Sequence, residues 1–506
     1  MKTQYLIKTA QKILRIAAVV LIALATTPFA AIAEDRVPPV YRHMVDINKA
    51  QIVMLAEQGL MAPETAGKLV EGLQAAMEQE NPPGANRPLD PHYMQLEQWL
   101  VSRIGEDASN IHQGRSRNDL GATQNRMRMR EWTLEILEEL STIRHQIQRL
   151  AADHVHTVMP GFTHAVQAQP STLGHFLLAF DAGLERDSDR LREYYRRLNQ
   201  SPLGSAAFNT SGFPLDRQRL SDLLGFDAPI ANSHDAIMVS IVDSKVEFTQ
   251  HLALSALGIG RFTQYVLFQY DDPVPGIALE GAIVTRSSIM PQKRSPSAIE
   301  RLRSEASDVV GLSVTSAFWV HNTPMYEVKD SREHHFIKLD RFFEASMQMY
   351  SRLQEVLGSL LIRTDILRDK VDGDFSTMTE LADTLMREAD VPFRIGHHVA
   401  SELTTYGREH GIVPKDLPFS EVDRIFREAT GEPIPLTEEQ VARALDPAEF
   451  IYGRRGFGGP QPESMQLLIS SQKAHLEDVE AWTLEQRQAI ANASAMLEEA
   501  AEALKE

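Results

Sequence analysis

Residues 118–158 read NDLGATQNRMRMREWTLEILEELSTIRHQIQRLAADHVHTV, with no proline and no glycine after Gly121. Leucine, isoleucine and methionine recur at three- and four-residue spacing among glutamates and arginines, the signature of one long amphipathic helix. Similar runs occupy 170–199, 235–270, 296–320 and 332–368. Helices of about 25 to 40 residues outgrow a compact core. They predict an all-α, elongated bundle whose apolar faces are shared between helices and between subunits. Shorter periodic segments precede it at 43–80, which stops at NPPG (81–84), and at 91–104 (PHYMQLEQWLVSRI). Alternating Val/Ile/Thr segments are nearly absent, so no sheet of consequence is expected. GRRGFGGPQP (453–462) marks a loop inside a smaller C-terminal region.

The composition is that of an ordinary globular protein: 506 residues, 43% hydrophobic, 24% charged, with no cysteine. The missing cysteines exclude a disulfide framework, a thiolate metal site and a cysteine nucleophile. At the N-terminus Lys2, Lys8, Lys12 and Arg15 precede the apolar run IAAVVLIALA (16–25) and then Ala31-Ile32-Ala33. A basic start, a short apolar run and a small-x-small site read as a signal peptide over residues 1–33, cleaved before Glu34. Ten apolar residues are too few to span a bilayer. The mature chain is then expected to be periplasmic or secreted, with no membrane attachment after cleavage. Losing four basic residues and no acidic one takes the formal charge from −18 to −22. Such a surface disfavours nucleic acid as a partner.

Three polar segments stand out from the helical background. QGRSRND (113–119) offers Arg115, Ser116, Arg117 and Asn118 at the head of the long helix, where amide N–H groups and the helix dipole favour an anion. Taken alone it reads more readily as a capped helix start with a solvated face. GFTHAVQAQP (161–170) places His164 beside Thr163, ahead of Gln167 and Gln169; it suits proton transfer, or a loop histidine bonded to backbone. TRSSIMPQKRSP (285–296) holds Ser287 and Ser288 near Lys293 and Arg294. Residues 281–303 carry five basic side chains and one carboxylate, Glu300, inverting the local charge of an acidic chain. An activated hydroxyl in a positive field fits this segment, and so does a surface loop.

In this order the segments resemble the signature regions of the fumarase/aspartase superfamily, and within it the argininosuccinate lyase branch with the δ-crystallins. The likeness continues through PLGSAAFNTSGFPLDR (202–217), 372–383, PFRIGHH (392–398), 446–447 and 454–460. The resemblance implies three helical regions (34–115, 116–371 and 372–506) and a homotetramer with a twenty-helix core, each active site drawing on three chains. It implies elimination of fumarate from a small anionic substrate, an N-substituted aspartate, with neither metal nor organic cofactor. Ser287 then matches the base that takes the Cβ proton, and Lys293 the cation that stabilises the aci-carboxylate. His164 matches the proton donor to the leaving amine, and Glu300 the residue that orients it. Arg115, Ser116, Arg117, Asn118, Thr163 and Gln169 would hold substrate carboxylates, and Tyr326, Lys329 and Arg332 the amine half.

Departures from the family pattern gather around the substrate. Arg286 stands where the family has glycine, Ser295 where it has asparagine, and Tyr93 where a histidine precedes Glu97 by four residues. Ser240 in NSHDAIMVSIV (232–242) takes the place of an arginine, and Lys329 that of a glutamine. An added cation favours further substrate carboxylates. These changes suggest an aminopolycarboxylate of the ethylenediamine-disuccinate kind. The alternatives are argininosuccinate itself, a catalytically silent crystallin-like protein and a carboxymuconate-type cycloisomerase.

Overall fold

The computed structural model describes residues 37–86, 92–328 and 335–506. The signal-peptide segment, Lys329 and Arg332 lie outside the described residues. An N-terminal layer contains α1 (Pro39–Glu57), α2 (Pro63–Met77) and α3 (Tyr93–Ile104). The periodic run 43–80 is thus two helices, parted at Gly59, whose φ of +67° ends the first. The long run becomes α4 (Arg117–Asp153), which stops before residue 158 because β1 (Val158–Thr163) and β2 (Val166–Thr172) form an antiparallel hairpin there.

Then follow α5 (Leu173–Leu198) and α6 (Ser240–Phe268), the short ladder of β3 (Thr285–Arg286) with β4 (Arg294–Ser295), α7 (Ser297–Val320) and α8 (His335–Gly358). These long helices share one apolar core. Trp132 of α4 stacks on Phe343 of α8 at 4.7 Å, and Phe180 of α5 on Phe262 of α6 at 4.2 Å. The expected run 332–368 breaks after Gly358, where Leu360–Ile362 pairs with Ile277–Leu279. Among the described residues the fold is all-α apart from such two-stranded ladders.

Beyond α9 (Thr364–Asp372), α10 (Met378–Ala389), α11 (Phe393–His410) and the helices up to Leu445 build a separate core. The stretch from 372 to the C-terminus nonetheless serves several cores, because α12 (Pro462–Glu502) runs back along the bundle. Its Met465 and Val479 enter the central core, and its Leu497 and Ala501 the N-terminal one. Where α4, α5 and α12 meet, Arg144 is fully buried. It donates to Asp181 at 2.9 Å and Glu185 at 3.1 Å, and its Nη1 lies 3.0 Å from His475 Nδ1.

Candidate active site

The head of α4 is held by a capping box: Asp119 accepts from the Ser116 amide at 2.9 Å, while Ser116 Oγ accepts from Asn118 N–H at 3.2 Å. Asp119, completely buried, also accepts from the amides of Gly204 (3.1 Å) and Ala206 (3.0 Å), which fastens the segment 202–217 to the helix start. Gly114, at φ +67°, lets the chain enter this turn; a Cβ there would lie 2.7 Å from Ser211 Oγ.

Burial pushes Asp119 up to about 6 against these stabilising N–H groups, and burial pushes Asp46 and Asp340 to about 6 as well. All three titrate near 4 when unfolded, so between the two values the folded chain binds more protons. Their contribution to stability is complete below pH 4 and is lost as pH rises through about 6. Thermal unfolding followed from pH 5 to pH 7 should show this component as a falling midpoint, with a shallower slope in Asp46→Asn. Equal slopes in the two proteins would refute it.

Arg115 lies under this turn. Its guanidinium stands 5.1 Å over the Tyr93 ring and donates to the phenol oxygen at 2.8 Å. Burial raises the Tyr93 phenol, keeping it neutral. His112 packs edge-on against Tyr93 and bonds Glu97 at 3.0 Å; burial, then the Arg115 charge, lower its pKa. Arg115 therefore braces the turn from behind, through a tyrosine. Arg117 is exposed on the outer face of the helix start.

Asn118 is buried, and its amide donates to Ala207 O at 3.2 Å and to Glu327 Oε2 at 2.7 Å. Glu327 went unnoticed in the sequence although it adjoins Tyr326. Asn118, Tyr326 and Glu327 line a narrow recess, partly open to solvent, whose interior space of about 20 Å³ is that of a single water molecule. Its opposite wall is Ile237, Met238, Ile241 and Val242, from a π-turn and the first turn of α6. Ser240, standing in for arginine, spends its hydroxyl on Asp235 O at 3.0 Å.

His164 and Ala165 form the tip of the β1–β2 hairpin with φ of +52° and +61°, a turn that ordinarily needs Asn or Gly. Thr163 and His164 are exposed there. The hairpin is fixed just behind its tip: Gln167 donates to Lys370 O and Ser376 Oγ, and Phe162 packs edge-on against Phe268. Gln169 donates to Thr379 at 3.3 Å, a contact that steadies the hairpin.

Ser287 begins the loop closed by β3 and β4. Its Oγ accepts from the Met290 amide at 3.1 Å and lies 3.4 Å from the Ile289 amide. Backbone dipoles converging on a hydroxyl oxygen favour its ionised form. Lys293 and Glu300 are exposed, and Arg286 pairs across the ladder with Arg294. Among the described residues no hydrogen bond or ion pair joins Ser287, His164, Lys293 or Glu300 to one another. Nor do three His, Asp or Glu side chains group closely enough, among the described residues, to hold a metal ion.

Comparison with known proteins identifies the family. Residues 92–311 match the family model described as lyase, and 375–452 the argininosuccinate lyase C-terminal model. Argininosuccinate lyase of Methanothermobacter thermautotrophicus is 35% identical over 441 residues, 86% of this chain and 92% of that protein. That of Methanoculleus marisnigri is 34% identical over 455 residues, 88% and 90% respectively. The crystal structure of EDDS lyase in complex with formate superposes with a TM-score of 0.85 at 30% identity, covering 92% of each chain. The 3-carboxy-cis,cis-muconate lactonizing enzyme of Pseudomonas putida, at 18% identity and a TM-score of 0.68, shares the fold.

Proposed function

This chain belongs to the argininosuccinate lyase family of the fumarase/aspartase superfamily and is a carbon–nitrogen lyase that eliminates fumarate; from that premise we propose how it does so, and on what. Ser287, as alkoxide, takes the Cβ proton of an N-substituted aspartate. The electron pair is held as an aci-carboxylate near Lys293, then forms the Cα–Cβ double bond as the Cα–N bond breaks. His164, oriented by Glu300, returns a proton to the departing amine. The carrying observation is the pair of amides at Met290 and Ile289 directed at Ser287 Oγ, which lowers the cost of the alkoxide.

The hairpin tip and the serine loop meet when chains associate, in a homotetramer whose sites each draw on three chains. Exposed apolar side chains on the long helices, Leu254, Leu257, Val314 and Phe318 among them, support association.

An aminopolycarboxylate of the ethylenediamine-disuccinate kind is the preferred substrate. The fit to EDDS lyase and the cation at Lys329 support it. Argininosuccinate is the second reading, favoured by relatives at 34–35% identity. Purified protein given ethylenediamine-disuccinate, argininosuccinate and adenylosuccinate in turn should release fumarate, read by its ultraviolet absorbance, fastest from the first. Fastest release from argininosuccinate would return the protein to the second reading.

Export to the periplasm or medium, with removal of residues 1–33, is part of the same proposal. The protein isolated from its native host should start at Glu34 when sequenced from the N-terminus. A chain starting at Met1 would contradict it. No helix among the described residues is long and apolar enough to cross a membrane.

A further inference from the structure

Arg115 is held differently from other buried arginines of the chain. Arg126 and Arg130 each donate to three oxygens, and Arg144 to two carboxylates. Arg115, 8% exposed, donates to one oxygen, that of the Tyr93 phenol at 2.8 Å, and its Nη1 is buried with no hydrogen-bond partner. Among the described residues it joins no ion pair. A buried cation without a carboxylate partner costs the folded chain stability. What it supplies is charge, beneath the head of α4. There the amides of Ser116, Asn118 and Leu120 are already taken by Asp119 and Ser116. Two carboxylates stand behind the same turn: Asp119, pushed up to about 6 and so ionised at neutral pH, and Glu97, bonded to His112. Both repel a dicarboxylate ligand. Arg217, which also acts on Asp119, is tied by Leu203 O, Ile230 O and Ser205 Oγ. The place of the Arg115 charge depends on Tyr93, whose phenol burial keeps neutral.

We propose that Tyr93 is a positioning residue for dicarboxylate binding: its phenol oxygen fixes the Arg115 guanidinium behind the turn, where the charge offsets Asp119 and Glu97 and draws the succinyl half of the substrate to the head of α4. Arg115 acts through the turn, without touching the ligand. The inference rests on the lyase reading and deepens it. Tyr93 is itself fixed on its other side by His112, edge-on at 5.0 Å.

Fumarate itself is the probe, with its binding measured by calorimetry. Tyr93→Phe keeps the ring that faces Arg115 and His112 and removes the acceptor oxygen. It should raise the Kd for fumarate about fivefold or more, and KM for the best substrate likewise, with kcat within about twofold of wild type. Arg115→Met should raise the Kd about tenfold or more, and adding Tyr93→Phe to it should change little further, because the tyrosine acts through the arginine. Should Arg115→Met fail to fold, Tyr93→Phe decides by itself. Unchanged fumarate affinity in Tyr93→Phe, whatever its thermal midpoint, would reduce Tyr93 to a packing role and overturn the proposal. So would a loss of kcat at constant KM, or losses that add in the double variant. A weaker fumarate Kd in Tyr93→Phe, with no fumarate released by wild type from ethylenediamine-disuccinate, argininosuccinate or adenylosuccinate, would sustain the positioning role and refute the lyase reading.

Discussion

Ser287→Ala is expected to lower kcat about a thousandfold or more while changing KM little. The hydroxyl oxygen sits under the Met290 and Ile289 amides, and its value to the reaction is realised when the Cβ proton moves. Removing it leaves the carboxylate-binding groups in place, so ground-state affinity survives. Ser288 is exposed and accepts neither of those amides, so Ser288→Ala should be far milder. Steady-state kinetics on the two variants decide the matter. Equal losses, or a Ser287→Ala protein of near-normal rate, would remove Ser287 from the role of base.

The largest expected effect on stability lies far from the chemistry. Asp181→Ala should destabilise the chain by about 3–5 kcal/mol, because it strips the main partner from a guanidinium with no solvent exposure. Glu185 and His475 stay in contact with Arg144, but Asp181 supplies two of its carboxylate contacts and also receives Gln148 at 3.0 Å. Replacing Arg144 and Asp181 together by methionine and leucine should cost much less, since the desolvated charges disappear as a pair. Urea unfolding at fixed protein concentration compares the variants. A single substitution no worse than the double one would show that the ion pair does not clamp α4 to α5.

Much of this architecture was legible because its signals are local. The long helix announces itself by its period, its lack of proline, and the Ser116–Asp119 capping box at its head. The β1–β2 hairpin was not legible. Its turn puts a histidine and an alanine at positive φ, where the sequence offers no Asn-Gly to signal a reversal. The helix Pro462–Glu502 was overlooked behind a Gly/Pro-rich loop, although no glycine or proline follows residue 462.

Within the site, motif residues were identifiable by type, but their partners were not. Arg115 turns out to brace against Tyr93, and Gln169 to steady the hairpin through Thr379. Such roles depend on contacts between segments that no spacing encodes. The recess wall of Ile237 and Met238 is likewise hidden, because it is formed by a π-turn that the helical period does not distinguish.

In the proposed assembly, segments separated within one chain complete an active site by association. Assemblies containing both Ser287→Ala and His164→Asn chains, made by co-expression with different tags and purified through both, test it most directly. Each parent variant should be nearly inactive, and the mixed assemblies should release fumarate far faster than either, because some of their sites combine an intact Ser287 with an intact His164. Mixed assemblies no faster than the average of their parents would show that Ser287 and His164 do not serve one shared site.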